Sequence, residues 1–274
     1  GHLEVLKWAR ERGCEVNEGT YANAAAGGHV EVLRWVVVRD GRPRCALSIA
    51  AAAGTGRLET VKWLREMGCP WNGAACAQAA RGGHLEVLKW LREQGCPWGI
   101  LTCAKAAEGG HLQVLEWARE HGCDWDEKTC AGAAQGGHLQ VLMWARERGC
   151  PWTTTACSHA AKGGRLDLLK WLRERGCPWD SYTCDAAARR GHLDLLKWAR
   201  EHGCPLREST CSAAAKGGHL KVLQWLREQG CPWDYTVVTY ARRKGHEEVA
   251  QWAIENGNSQ QLWDQFFFNV LPVK

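Results

Sequence analysis

Residues 82–98 read GGHLEVLKWLREQGCPW, and near copies of this stretch recur along the whole chain. The copies can be aligned on one position that holds histidine or arginine in each of them: His2, His29, Arg57, His84, His111, His138, Arg165, His192, His219 and His246. Successive copies lie 27 residues apart, except for one interval of 28. A period of this length is typical of a solenoid, in which small units stack in a row and each packs only on its neighbours.

The second half of each unit has the pattern of a helix that is packed on two sides. When residues 85–94 are projected at 100° per residue, the apolar side chains cover an arc of about 220°. A lone surface helix needs only about 100° of apolar surface, so partners are expected on both sides. Gly95 is expected to end the helix in the left-handed conformation, and Pro97 cannot continue it.

The first half of each unit is alanine-rich, as in residues 102–108 (TCAKAAE). Its alanines would let another helix approach closely, and Thr102 is expected to cap the N-terminus of this helix through its hydroxyl. Gly109 and Gly110 then permit a tight turn. Each unit is therefore predicted to be a short helix, a turn, a longer helix and a loop, which makes the fold all-α.

These residues resemble the ankyrin repeat, whose unit of about 33 residues begins Thr-Pro-Leu-His. The resemblance is carried in one copy by Ala106-Ala107, by the run GHLQVL of residues 110–115 and by the close GCDWD of residues 122–126. It spans about residues 1–257 and implies an ankyrin-like solenoid of about ten helix-turn-helix repeats. Short repeats with a Gly-Cys-Pro-Trp close also resemble arrays of algae, oomycetes and large DNA viruses.

The unit is about six residues shorter than the family's, and the shortage falls between Trp125 and Cys130. Ankyrin repeats carry their β-hairpin fingers there, so reduced or absent fingers are expected. Gly1 falls in the middle of a unit, which predicts an array (residues 1–257) that is truncated at its N-terminus. Residues 258–274 depart from the repeat and are expected to cap its last apolar face; the alternative is a partner-docking segment.

The fifteen cysteines occupy two recurring slots rather than the pattern of a disulfide framework. Tyr21, Ile49 and Val238 fill one of these slots in other copies, which indicates a hydrophobic position. No disulfides are therefore expected, and the many free thiols indicate a reducing compartment, either cytoplasmic or nuclear. No membrane span is expected, since no stretch approaches about 18–20 apolar residues.

Function is expected at the positions that vary between copies, because the constant ones build the core. By resemblance to ankyrin proteins, the variable positions would line a concave groove that binds a partner. This predicts a non-enzymatic scaffold for protein–protein interaction. The candidate partner-binding residues are Arg81, Lys105, Glu108, Gln135, His159, Lys162, Tyr182, Arg189, Lys216, Tyr235, Tyr240 and Arg243.

Two alternative functions stay open at this point. The basic row on the first helices, which includes Lys162, Arg189 and Lys216, would suit a nucleic acid or an acidic ligand, although the net charge is only +5. The other alternative is a structural subunit of a larger assembly.

No catalytic residue, cofactor or metal is predicted from the sequence. The chain has no G-x-S-x-G, no H-E-x-x-H and no phosphate-binding glycine loop. Cys96, Cys103 and His111 recur in a pattern of zinc-ligand types, but no C-x2-C pair occurs. Arg165 also replaces the histidine in one copy without any other change, which favours a structural role for this position.

Overall fold

A computed structural model describes residues 2–40 and 46–257. Over these two ranges the chain forms 19 α-helices and no strand. It divides into two compact units, Gly1–Pro151 and Trp152–Lys274. The all-α prediction and the absence of hairpin fingers from the described loops are confirmed. The expected cap or docking segment, residues 258–274, lies outside the described residues.

In the unit Gly1–Pro151, alanine-rich helices alternate with helices that follow the Gly-His turn. The alanine-rich "first helices" are α2 (Glu18–Gly27), α4 (Ala46–Gly54), α6 (Gly73–Arg81), α8 (Ile100–Gly109) and α10 (Glu127–Gly136). The "second helices" are α1 (Leu3–Glu11), α3 (Val30–Asp40), α5 (Leu58–Glu66), α7 (Leu85–Glu93), α9 (Leu112–Glu120) and α11 (Leu139–Glu147).

The unit Trp152–Lys274 continues the same alternation. Its first helices are α12 (Thr154–Lys162), α14 (Ser181–Arg190), α16 (Glu208–Gly217) and α18 (Thr236–Arg243). Its second helices are α13 (Leu166–Glu174), α15 (Leu193–Glu201), α17 (Leu220–Glu228) and α19 (Glu247–Glu255). Within each unit, successive first helices pack directly on one another, and each second helix from α3 onward packs on the first helix that precedes it.

The first helices stack closely because their buried faces consist of small side chains. Ala106 and Ala107 of α8 are fully buried, and so are Ala133 and Ala134 at the same positions of α10. The second helices contribute larger apolar groups such as Leu115, which is also fully buried. The predicted two-sided packing follows from this arrangement.

Two expectations about the first helix were wrong, and for one reason. Apart from α18, which has 8 residues, the first helices have 9 or 10 and are not shorter than most second helices, which have 9. Thr102 does not cap α8: it is the third residue of that helix, it is fully buried, and its hydroxyl has no hydrogen-bond partner. Each first helix begins earlier than Thr102 would place it, and in several repeats the residue before it caps it, as Asp126 does by accepting a hydrogen bond from the Lys128 amide at 3.0 Å.

After each second helix except α3, whose loop lies outside the described residues, the loop opens with a glycine in the left-handed conformation. Gly95 has φ +77°, and the next amide, that of Cys96, donates to the Leu91 carbonyl at 2.9 Å. This is the hydrogen bond of a Schellman motif, which satisfies a carbonyl at the end of the helix. The predicted role of Gly95 is confirmed.

An arginine of each regular second helix donates a hydrogen bond to a carbonyl of the following loop and contacts the loop tryptophan. Arg119 donates to the Cys123 carbonyl at 2.5 Å, and its guanidinium lies 4.3 Å from the centre of the Trp125 ring. Trp125 in turn packs edge-on against Trp144 of the next second helix, with ring centroids 5.8 Å apart. We call this arrangement of arginine, cysteine carbonyl and tryptophan the arginine clasp. The tryptophans are half-buried, and they join neighbouring repeats.

The cysteines are buried free thiols in all described repeats except at Cys14. The Cys103 thiol donates to the Cys123 carbonyl at 3.8 Å, and the Cys123 thiol donates to the Gly99 carbonyl of the preceding loop at 3.4 Å. A hydrogen bond to the Cys123 thiol, together with burial, raises the pKa of the Cys103 thiol. These thiols fill space and satisfy loop carbonyls, so they act as structural groups.

The rings of the turn histidines bond to backbone in two of the described repeats. His138 Nε2 lies 3.1 Å from the Glu108 carbonyl oxygen, and His219 Nε2 lies 3.1 Å from the Arg189 carbonyl oxygen. Burial lowers the pKa of His219. Each of these contacts links the turn of one repeat to the end of the first helix of the preceding repeat.

Candidate partner-binding groove

The unit Trp152–Lys274 contains a groove of about 840 Å³ across its four first helices. Its lining residues share one face of each helix and are Thr154, Thr155, Ser158, His159, Lys162, Tyr182, Asp185, Ala186, Arg189, Arg190, Glu208, Ser209, Ser212, Ala213, Lys216, Asp234, Thr236 and Tyr240. The volume lies in the range of about 300–1,000 Å³ that is usual for binding clefts. We refer to this feature as the groove.

Helical spacing places the variable side chains in the groove. On α14, Tyr182, Ala186 and Arg189 follow each other at intervals of four and three residues, so they share one face. The opposite face of the same helix carries Cys184 and Ala187, which are fully buried. The pattern that builds the core on one side thus leaves a row of variable residues on the other.

One slot of the repeat determines how deep the groove is. It holds His159, Ala186, Ala213 and Tyr240 on the four successive helices. The two alanines leave space over α14 and α16, and the larger rings bound that space at α12 and α18. Tyr182, whose residue is 70% exposed, stands at the start of α14. The floor is therefore small and apolar, with aromatic and imidazole groups around it.

The last turns of the first helices give the groove a cationic edge. Lys162, Arg189 and Lys216 occupy one slot in three successive repeats, and Arg190 lies beside them. Among the described residues, none of these four has a carboxylate within ion-pair distance. The Lys216 ammonium lies 5.4 Å from the centre of the Tyr240 ring, which positions it at the groove.

Three carboxylates face the same groove, and two of them are held by hydroxyl groups. Asp185 accepts a hydrogen bond from the Thr210 hydroxyl at 2.6 Å. Asp234 accepts from the Thr236 amide at 3.0 Å and from its hydroxyl at 2.5 Å. Glu208 lies in the first turn of α16 and is exposed. The groove thus carries charges of both signs, with the cations gathered at the C-terminal ends of its helices.

Four of the candidate residues lie on first helices of the other unit, Gly1–Pro151. There Glu108 forms ion pairs with Arg81 at 3.2 Å and with Lys105 at 2.6 Å, and its side chain is only 17% exposed. Gln135 is half-buried in the last turn of α10. Both cations of this unit's candidate set are therefore paired with Glu108, Arg81 from the preceding repeat and Lys105 from the same helix.

The groove brings together six of the twelve predicted residues: His159, Lys162, Tyr182, Arg189, Lys216 and Tyr240. Tyr235 and Arg243 are exposed at the two ends of α18 and do not line it. Asp185 was missed, although its slot holds alanine, serine or threonine in other copies and so varies in the way that marked the other candidates. The variability of this slot was the signal by which Asp185 could have been predicted as a site residue.

Neither a cluster of metal ligands nor a membrane-spanning helix is found in the described part of the chain. Among residues 2–40 and 46–257, no three histidine, cysteine or acidic side chains come together as metal ligands. Over the same residues, every helix is too short or too polar to cross a membrane.

Comparisons with known proteins fit the repeated architecture. Residues 184–227, which run from α14 to the end of α17, match the family model described as ankyrin repeats (many copies). No curated protein matches the chain significantly. Among solved structures, the crystal structure of the human ASB11 ankyrin repeat domain matches over 58% of this chain and 84% of that chain, with a TM-score of 0.42 and 20% sequence identity.

The matched segment contains α16 and most of α14, two of the four first helices that form the groove, together with the second helices that follow them. The expectation that the Gly-Cys-Pro-Trp close marks a particular branch of the family stays a prediction. The two helix pairs of residues 184–227 recur along the described chain with the same turns and buried positions, and it is this segment that matches the ankyrin repeat family.

Proposed function

We propose that this chain is a non-enzymatic interaction module that binds a segment of a partner protein along the groove. Ankyrin repeats are in general modules of protein interaction. The observation that carries the proposal is the floor made by Ala186 and Ala213, which opens a continuous groove lined by variable side chains of four helices. The same variable face carries the charged and aromatic groups that select a partner.

Binding would depend on surface complementarity and not on bond chemistry. The first helices are fixed by their buried alanines and by capping residues such as Asp180, whose carboxylate accepts from the Tyr182 amide at 3.0 Å. A face that is ordered before binding loses little entropy when the partner docks. We further propose a reducing compartment, cytoplasm or nucleus, because the repeats depend on buried free thiols.

The test is to close the groove without disturbing the fold. Ala186→Tyr and Ala213→Tyr, made together, place in α14 and α16 the residue that the array already carries at Tyr240. Random peptides displayed on phage would be selected against the unaltered full chain and then assayed on the variant. Lys221→Tyr, at an exposed position of α17, is the matched control.

Selected peptides should bind the unaltered chain and Lys221→Tyr equally, and should lose at least tenfold in affinity for the double variant. Peptides that bind all three proteins alike would show that the groove is not the binding site. Circular dichroism of the double variant checks that its helix content is unchanged.

A further inference from the structure

We infer that the occupant of the groove is an extended acidic segment of the partner, with carboxylate side chains at every third residue. The inference rests on the proposed function and adds the chemistry of the ligand. It starts from the cationic edge, where Lys162, Arg189, Arg190 and Lys216 lie on one side of an open cleft. Their charges meet no carboxylate of the described chain within 4.0 Å.

The contrast with the other unit indicates that this charge is available for a ligand. Arg81 occupies the same slot of the repeat as Arg189, but its guanidinium is paired with Glu108 of the next repeat. In the groove the corresponding neighbours of Arg189 are Lys162 and Lys216, so like charges replace the pair. Clustered cations without a counter-charge repel one another, and an anionic ligand relieves that repulsion.

Arg190 strengthens the same edge at a position where the repeat favours glycine. A Cβ at the equivalent Gly109 or Gly217 would lie 2.3 Å or 2.2 Å from a carbonyl oxygen of the preceding first helix. The array nevertheless carries arginine at this slot on α14. If the cationic edge binds a ligand, an extra positive charge is expected there, even at a crowded turn where glycine fits more easily.

The spacing of the cations sets the spacing of the ligand's acids. Packed helices lie about 8–10 Å apart, so cations in one slot of successive first helices are separated by roughly that distance. A polyproline II segment rises about 3.1 Å per residue with three residues per turn. Every third side chain of such a segment therefore points the same way and meets the next cation.

The groove favours a peptide over a nucleic acid because Asp185, Glu208 and Asp234 face it as well. A continuous phosphate backbone would bring negative charge close to these carboxylates. A peptide presents its acids one at a time, towards the cationic edge, and offers amides and neutral side chains elsewhere. The small floor at Ala186 and Ala213 accepts a narrow, extended backbone.

The experiment measures binding of fluorescent twelve-residue peptides to the full chain by anisotropy. One peptide carries glutamates at every third position among prolines and serines; its control has the same composition with the glutamates adjacent. Lys162→Gln, Arg189→Gln and Lys216→Gln are tested singly, and Arg81→Gln is the matched control. Glutamine is compatible with the fold because Gln135 occupies this slot.

The spaced peptide should bind more tightly than the adjacent one. Each groove substitution should weaken it by about fivefold, the effect of losing one exposed charge pair of about 1 kcal/mol, and Arg81→Gln should leave it unchanged. Equal affinities for the two peptides, or an equal loss with Arg81→Gln, would overturn the inference.

Two further outcomes separate this inference from the proposed function. If acidic peptides fail to bind while peptides selected from the random library still require the open floor, the acidic ligand is wrong and the groove stands. If single-stranded oligonucleotides displace the acidic peptide at equal charge concentration, with a steep dependence on salt, nucleic acid is the ligand. If no selected peptide depends on the open floor, the proposed function itself fails.

Discussion

Replacing Arg119 by methionine should lower the free energy of unfolding by about 2–4 kcal/mol. The substitution removes the hydrogen bond to the Cys123 carbonyl, and bonds from charged donors contribute about 1.5–3 kcal/mol. It also removes the guanidinium from the Trp125 ring, a contact worth about 0.5–1 kcal/mol when partly exposed. Methionine keeps an unbranched stem and a helix propensity close to that of arginine, so the clasp is the main thing lost.

The chain offers its own control at Arg200. In that repeat Leu206 replaces the loop tryptophan, and Arg200 is exposed and makes neither contact of the clasp. Arg200→Met should therefore change the unfolding free energy by no more than about 0.5 kcal/mol. Position in the helix, residue type and substitution are matched, and only the clasp differs.

Urea unfolding of the full chain, followed by circular dichroism at 222 nm, measures both effects. With a slope of about 3 kcal/mol per molar urea, Arg119→Met would move the midpoint down by about 0.7–1.3 M. Arg200→Met would leave it in place. Equal shifts for the two variants would refute the claim that the arginine clasp ties each loop to its repeat.

Three other predictions concern glycine, threonine and histidine positions, each measured by urea unfolding. Gly122→Ala should lower the free energy of unfolding by about 1–2 kcal/mol, because the residue is left-handed and open space surrounds a Cβ there. Gly110→Ala should lower it by more, because its Cβ would also lie 2.5 Å from the His138 ring. Equal losses for the two variants would contradict this. Thr102→Val should be neutral or stabilising because it removes a buried hydroxyl that has no hydrogen-bond partner. Thr210→Val should destabilise the fold by about 1–3 kcal/mol because Asp185 loses its hydrogen-bond donor. A larger loss of stability for Thr102→Val than for Thr210→Val would be the contrary result. Burial lowers the pKa of His219 below its usual 6.5, so the unfolded chain binds more protons than the folded chain near that pH. The contribution of His219 to stability is therefore present above about pH 6.5 and is lost as the pH falls below it. His219→Gln should flatten this pH dependence of the unfolding free energy; an unchanged pH profile would argue against it.

Much of the fold could be predicted because the repeat samples each position many times. Ile49 and Val238 in a cysteine slot indicated that Cys103 is a buried, space-filling residue, and the structure buries it completely. Gly95 next to Pro97 was enough to predict the end of the second helix. Where ten copies agree, burial and backbone conformation leave few alternatives.

The start of the first helix was mispredicted because its capping residue is one of the variable ones. Asn72, Gly99, Asp126 and Thr153 occupy the cap in successive repeats, so no constant signal marks it. Thr102 is constant and chemically suited to capping, which made it the better candidate by sequence. The structure assigns it instead to the interior of the helix.

Candidate site residues were predicted as a class but not sorted from one another. Arg81 and Arg189 occupy the same slot and are indistinguishable by pattern. What separates them is the residue one repeat further on, glutamate in one case and lysine in the other, and whether the two side chains reach each other. That distinction depends on distances across a packed interface, which a period of 27 residues does not encode.

The missing hairpin has a consequence for how much recognition such a chain can carry. A repeat contributes one outward-facing helix whatever the length of its connecting segment. With units of about 33 residues, 274 residues would hold about eight copies; with the shorter unit they hold ten. Trimming the connection therefore gives about a fifth more selectable side-chain positions for the same amount of polypeptide, at the cost of the extra contacts that a projecting finger would provide.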